Sequence, residues 1–152
     1  CLYQEEGDVV ISDAVCQYDF DITAFPDRVL GEVPGLPPKI KADQELVDRA
    51  KNVLENLKLN YTAGLIVSGD KFVADKNTVD YIKENFKDAK CCEMEAAAVG
   101  QTCYKFNTKF IITRSLSDIF DKGDSTIQFD EYLNKAANAS ALMCVSLIKD
   151  QS

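Results

Sequence analysis

Histidine is absent from this 152-residue chain, and arginine occurs three times, at Arg28, Arg49 and Arg114. Without an imidazole there is no Ser–His or Cys–His pair, no His-ligated zinc and no haem histidine. Acid–base chemistry therefore falls to Asp, Glu, Lys, Cys or Tyr. Positive charge is scarce as well: 17 Lys+Arg stand against 25 Asp+Glu, a formal charge of −8. Phosphate backbones are held by Lys and Arg, so this balance excludes a nonspecific nucleic-acid binder. There is no basic helical face for an anionic lipid surface. No apolar run approaches the ~20 residues of a membrane-spanning helix, and no signal peptide opens the chain.

What is present is ordinary globular composition, 46% hydrophobic and 28% charged, in a length that suits one domain over residues 1–152. Six cysteines include the adjacent Cys91 and Cys92, and none forms a C-x-x-C motif. Small buried hydrophobes in a reducing compartment is one reading of them; the even count leaves a secreted disulfide protein as the other. The triplets Asn60-Tyr61-Thr62 and Asn138-Ala139-Ser140 read as chance matches to a glycosylation site. The chain opens Cys1-Leu2-Tyr3 without Met and soon enters an apolar run. We therefore expect an N-terminal part to precede it. A lipidated Cys1 would instead call for a flexible polar spacer.

Gly7 to Asp13 reads as a buried strand, and Phe20, Ile22 and Ala24 share a face if Tyr18 to Phe25 is extended. All four prolines then fall between Pro26 and Pro38, in a loop of the kind that is often functional or covers a neighbour. From Ala42 the period changes to 3.6, with Leu46, Val47, Ala50, Val53, Leu54 and Leu57 on one stripe. Ala63 to Val67 is a buried strand; a helix carries Val79, Ile82 and Phe86; Ala89 to Cys92 is a short strand. The small residues after Glu95 suit a closely packed helix. Phe110 to Thr113 is a further strand. A last helix, from about Phe129 to Ile148, is expected to turn Leu133, Ala136, Ala137, Ser140, Cys144 and Ile148 inward. Short apolar strands alternating with amphipathic helices predict an α/β fold with a sheet covered on both faces. Its site belongs beyond the C-terminal ends of the strands, where Ser68 to Asp70, Glu93 to Glu95 and Ser117-Asp118 fall.

Three constellations carry chemistry. In Glu93-Met94-Glu95, either carboxylate can serve the helix dipole or accept both hydrogens of a vicinal diol such as ribose. In Arg114-Ser115-Leu116-Ser117-Asp118, Arg114 needs a partner, with Glu93 and Glu95 as candidates. Asp118 either caps a loop or acts as a general acid whose pKa is raised by partial burial and a neighbouring carboxylate. In Ser68-Gly69-Asp70-Lys71-Phe72-Val73, Gly69 permits a tight turn and Phe72 is either core or a stacking face for a flat base.

Val67 to Phe72, Glu93 to Ala98 and Arg114 to Ile119 resemble 5′-methylthioadenosine/S-adenosylhomocysteine nucleosidase, of the purine nucleoside phosphorylase superfamily. Gly7 to Asp13, Asp19 to Phe25, Leu59-Asn60 and Phe129-Asp130-Glu131 fit it too. The resemblance covers essentially the whole chain, as the C-terminal two-thirds of that enzyme. It implies a three-layer αβα fold with a central mixed twisted sheet, no cofactor, no metal, a homodimer and a cytoplasmic location. It also implies that Asp118, supported by Ser117, protonates adenine at N7. Glu95 holds the ribose hydroxyls, ordered by Arg114, and Met94 packs against the sugar, with Glu93 in the same substrate-binding set. Phe72 stacks on adenine and the Val73 backbone reads its edge. Ile22, Phe25 and Phe129 line the 5′-alkylthio end. The family's first strand, its Gly-rich segment and the Glu that orients water have no counterpart here, and we expect them before Cys1. Asp27 stands where the family often has an aromatic. A phosphorylase of the superfamily and a non-catalytic nucleoside-binding or storage relative are the alternatives.

Overall fold

The computed structural model describes residues 9–115, 137–138 and 140–149. In chain order the elements are β1 (Val9–Gln17), β2 (Ile40–Lys41), α1 (Gln44–Asn56), β3 (Tyr61–Ser68), α2 (Lys76–Asn85), β4 (Ala89–Glu93), α3 (Ala96–Lys105) and β5 (Thr113–Ser115). Residues 137–138 and 140–149 are helical and are called α4. Two helices start where an aspartate offers its side chain to a free N–H. Asp43 accepts from Leu46 N–H at 3.1 Å at the head of α1. Asp75 accepts from Thr78 N–H at 2.9 Å at the head of α2.

The strands form one mixed, open sheet in the order β2-β1-β3-β4, with β5 also paired to β1. β1, β3 and β4 are parallel. On its other edge β1 pairs antiparallel with β2 near its C-terminal half and with β5 near its start. The mixed α/β sheet is the predicted fold class.

Two register shifts decide which side chain meets which helix. The β1–β3 ladder skips Asp13, and the β3–β4 ladder skips Lys90. An inserted residue in one strand reverses the side-chain alternation beyond it. Val9 and Ile11, before the first shift, pack with Val47, Ala50, Leu54 and Met143. Beyond it, Ala14 and Cys16 continue that face against Leu65, Val67, Val79 and Ile82. Val10, Val15, Ile66 and Cys91 make the opposite face with Ala96, Phe110, Leu36 and Ile40. Thus α1, α2 and α4 cover one side and α3 the other, and residues of the proline-rich loop join α3.

Two expectations are corrected, and the condition left open at residues 18–25 is decided: the segment forms no strand. Asp21 accepts from both Thr23 N–H (2.9 Å) and Thr23 O–H (2.7 Å), a local bonding pattern that competes with any ladder. The strand expected at Phe110 to Thr113 is instead Thr113–Ser115. Ahead of it the carbonyl of Phe110 accepts from Asp43 N–H and that of Ile112 from Ser12 N–H, at 2.9 and 2.8 Å. In α4, Met143 is fully buried, whereas Ala137, Cys144 and Ile148 are exposed. Leu142 and Val145 are also apolar, so periodicity alone could not choose the inner face; the unbranched Met143 side chain fills the α1 cluster. Ser140, also expected inward, is half-buried with its hydroxyl 3.2 Å from that of Ser115, and Leu133 and Ala136 lie outside the described residues.

Cys16, Cys91, Cys92, Cys103 and Cys144 are free thiols. Burial pushes the Cys16 thiol up to about 11 and those of Cys91 and Cys92 up to about 12. The thiolate is the reacting form, so at pH 8 these three are almost wholly unreactive. A thiol reagent applied to the native protein at pH 8 should label the exposed Cys144 and leave Cys16, Cys91 and Cys92 unlabelled. Peptide mapping checks this; rapid labelling of Cys91 would contradict the packing.

Candidate active site

Parallel pairing delivers three polar residues to one end of the sheet. Gln17 of β1 lies opposite Ser68 of β3, and Ser68 lies opposite Glu93 of β4. These are the C-terminal ends of the parallel strands, where open α/β sheets form their clefts. The amide of Gln101 on α3 donates to the Gln17 side chain at 3.0 Å and ties the helix to this edge.

At the end of β4 the chain enters α3. Ala96 and Ala97 are buried, and a methyl group on Gly100 would lie 2.4 Å from Val15 Cγ2, so the helix rides close on the sheet. Its N-terminal N–H groups need acceptors. Both Glu93 oxygens supply them: Oε2 accepts from Glu95 N–H at 3.0 Å, and Oε1 and Oε2 accept from Ala96 N–H at 3.0 and 2.9 Å. The Ser68 hydroxyl donates to Glu93 Oε1 and accepts from Ala97 N–H at 2.8 Å. Glu93 is 8% exposed and Ser68 3%. In this arrangement the Glu93 carboxylate is spent on the helix, and Glu95 occupies the N-cap position without capping through its own side chain.

The Glu95 side chain therefore projects outward, 66% exposed, with Arg114 Nη1 at 3.4 Å from its Oε2. Of the two partners open to Arg114, the structure pairs it with Glu95. Met94, between the two glutamates, is exposed. On the neighbouring strand Gly69 N–H donates to the Glu93 carbonyl at 3.2 Å. A Cβ on Gly69 would lie 2.4 Å from the Tyr18 ring, so the turn after β3 requires glycine. Phe72, three residues on, is 68% exposed. It is not core, and its ring is open to a ligand. Val73 is half-buried against the α2 cluster. Ile22 is half-buried and Phe25 exposed, on the loop after β1. That loop is held to the turn after β3 by Asp70 N–H, which donates to Asp19 Oδ2 at 2.7 Å. Ser117, Asp118 and Phe129 lie outside the described residues.

The sequence places Ser68 at a strand end of the site but assigns it no role there; the signal for one is a hydroxyl closing the buried apolar run Ala63 to Val67, where a polar group must find a partner. Among the described residues no three Cys, Asp or Glu side chains converge as a metal site requires. A groove of about 660 Å3 between α1 and α4, lined by Asn52, Glu55 and Lys149 among others, lies toward the opposite end of the sheet, near the start of β3. Among the described residues its one carboxylate, Glu55, accepts from the Tyr61 hydroxyl, and no chemical constellation accompanies it.

Residues 4–149 match the phosphorylase superfamily. The chain is 43% identical over 143 residues to a 5′-methylthioadenosine/S-adenosylhomocysteine nucleosidase of Oceanobacillus iheyensis, covering 94% of this chain and 62% of that protein. It is 45% identical to the Staphylococcus saprophyticus nucleosidase, with the same two coverages. Thus the chain spans about three-fifths of the length of the curated relatives it matches. Among solved structures, the nucleosidase from Neisseria meningitidis in complex with methylthio-immucillin-A superposes with a TM-score of 0.87 at 39% identity, over 96% of this chain and 63% of that one. The futalosine hydrolase of Helicobacter pylori reaches 0.84 at 31% identity, over 96% and 61%.

Glu93→Ala would leave the N–H groups of Glu95 and Ala96 without acceptors beside a buried Ser68 hydroxyl. Unmet buried donors cost about 1–3 kcal/mol each, and loss of a cap costs about 1 kcal/mol. We expect the urea unfolding midpoint to fall by an amount equivalent to at least ~2 kcal/mol. An unchanged midpoint would show that the helix start does not depend on this carboxylate.

Proposed function

The chain belongs to the phosphorylase superfamily, and from that premise we propose that it carries the adenine- and ribose-binding part of an N-ribosyl hydrolase. Its substrates are 5′-methylthioadenosine and S-adenosylhomocysteine, and it releases adenine and a thioribose without a cofactor. The observation that carries the reading is the Glu95–Arg114 pair: an outward carboxylate, freed from helix capping, held by a guanidinium beside the turn that exposes Phe72. Similarity to nucleosidases at 43–45% identity supports the substrate class.

Cleaving an N-ribosidic bond builds oxocarbenium character on the sugar and negative charge on the base. Catalysis needs groups that favour both charges in the transition state more than in the ground state. In the proposed arrangement Phe72 stacks on adenine and the Val73 backbone reads its edge. Glu95 accepts the two ribose hydroxyls, and its negative charge also favours the cationic sugar; Met94 packs beneath. Arg114 orders Glu95. Asp118, aided by Ser117, gives its proton to adenine N7, and Ile22, Phe25 and Phe129 line the 5′ end. The division between a proton donor at the leaving group and an anion at the sugar follows the logic of glycoside hydrolysis, and it needs no histidine.

A phosphorylase is the second reading, since the family includes that chemistry by name. It would need cationic groups for phosphate, and three arginines in 152 residues offer few. Adenine release that is independent of added phosphate separates the two. We further propose a cytoplasmic enzyme of nucleoside catabolism and methionine salvage. No described helix is long and apolar enough to cross a membrane.

Asp118→Asn in the native protein should abolish adenine release while 5′-methylthioadenosine still binds, because the amide keeps the shape of the acid but has no proton to give. The expected loss is about 10²–10⁴-fold in kcat; a variant within threefold of the parent would remove Asp118 from its role. We also propose a homodimer formed through the loop from Pro26 to Pro38, where Val29, together with Phe25 just ahead of the loop, exposes apolar surface. Light scattering at micromolar concentration should report twice the monomer mass, and a clean monomer would count against it.

A further inference from the structure

We propose that Ser68 is a positioning residue for the ribose-binding carboxylate: with Glu93 it takes over the capping of α3 and so leaves Glu95 free for its ligand. This rests on the nucleosidase reading above.

The inference starts from what an N-cap residue normally does. It turns its side chain back to accept from the N–H two or three residues on. Glu95 stands at that position in α3 and makes no such bond. A carboxylate there would find the helix N–H groups attractive by both hydrogen bonding and dipole. Left to local energetics, Glu95 would fold back onto α3 and be lost to a diol.

Of the two N–H groups such a side chain would reach, those of Ala97 and Ala98, the nearer is already filled from the sheet. Glu93 accepts from Glu95 N–H and Ala96 N–H, and Ser68 accepts from Ala97 N–H at 2.8 Å. Three successive N–H groups are thereby taken by residues on two different strands. The direction of the bonds is also set. An ionised carboxylate only accepts, so the Ser68 hydroxyl spends its single hydrogen on Glu93 and turns its lone pairs to Ala97. Ser68 and Glu93 are paired in register across β3 and β4, which makes the α3 start an extension of the sheet. Glu95 Oε2 is left with two long contacts outside α3, Arg114 Nη1 and the N–H of Met94, each at 3.4 Å.

Replacing Ser68 with alanine removes an acceptor from Ala97 N–H and a donor from Glu93. Glu95 then has a vacant N–H to cap, and its carboxylate divides between the helix and the ribose. The effect should fall on ligands with a ribose diol and spare those without one.

The test uses the native protein and its Ser68→Ala variant with three ligands: 5′-methylthioadenosine, its 2′,3′-dideoxy analogue and adenine. We expect kcat/KM for 5′-methylthioadenosine to drop by about tenfold or more, the scale of one buried hydrogen bond to a charged group. Dissociation constants of adenine and of the dideoxy analogue should stay within about twofold of the parent, as expected when the variant and the deleted hydroxyls act on one interaction. A merely structural role would weaken all three together, and that result overturns the proposal, as does a variant within about threefold of the parent on 5′-methylthioadenosine. Should Ser68→Ala not fold, Glu93→Gln carries the same test, because one amide oxygen cannot replace both carboxylate acceptors. If the parent releases no adenine, the nucleosidase reading itself fails; if the parent is active and the variant keeps its activity, only the role of Ser68 fails.

Discussion

An α-helix begins with N–H groups that have no partner inside the helix, and α3 begins where β4 ends, with two residues between them. So abrupt a junction leaves no loop to supply a cap. Two buried side chains of the sheet do so instead: Glu93 from β4 and Ser68 from its neighbour β3. Their carboxylate and hydroxyl are paid for by mutual satisfaction, since a buried polar group without a partner is costly. Everything at this end of the molecule follows from that contact. It sets where α3 starts, it locks the helix to two strands at once, and it sends Glu95 outward.

The contact depends in turn on strand register. Ala89 and Cys91 are two apart, and a regular strand would place both on one face. The shift at Lys90 instead puts Ala89 with the α2 cluster and Cys91 with the α3 cluster. Glu93 consequently shares the α3 face with Ser68, while Cys92 packs toward α2. Without that one extra residue the carboxylate would point to the wrong side of the sheet. The shift at Asp13 has the corresponding effect on β1 and keeps apolar residues on both faces along its nine-residue length.

Close packing shapes the same region from below. The Tyr18 ring fills the space beside Gly69, and Val15 fills that beside Gly100. The turn after β3 and the axis of α3 are thus pressed against β1 and its exit. The proposed base-binding and ribose-binding groups stand on this rigid floor, on consecutive strand ends, while their own side chains stay exposed: Phe72, Met94, Glu95 and Arg114. Preorganised supports beneath accessible contact groups are what a nucleoside site requires.

Much of this was legible in the residues. The absence of histidine limited the chemistry to other acids and bases. The stripe Val47, Ala50, Val53 and Leu54 announced α1, and the run ending at Val67 announced β3, because burial imposes a period that a one-dimensional pattern retains. The motifs around Phe72 and Glu95 marked the ends of β3 and β4. Tertiary structure decided what periodicity leaves degenerate: which side of the evenly apolar α4 turns inward, that residues 18–25 follow the side-chain bonding of Asp21 and not a ladder, and that β5 starts only at Thr113. It also decided between two chemically identical carboxylates two residues apart. Sequence distance cannot tell Glu93 from Glu95, since both sit at the mouth of a helix. Burial can: register places one beneath α3, where every oxygen is engaged, and leaves the other at the surface facing Arg114.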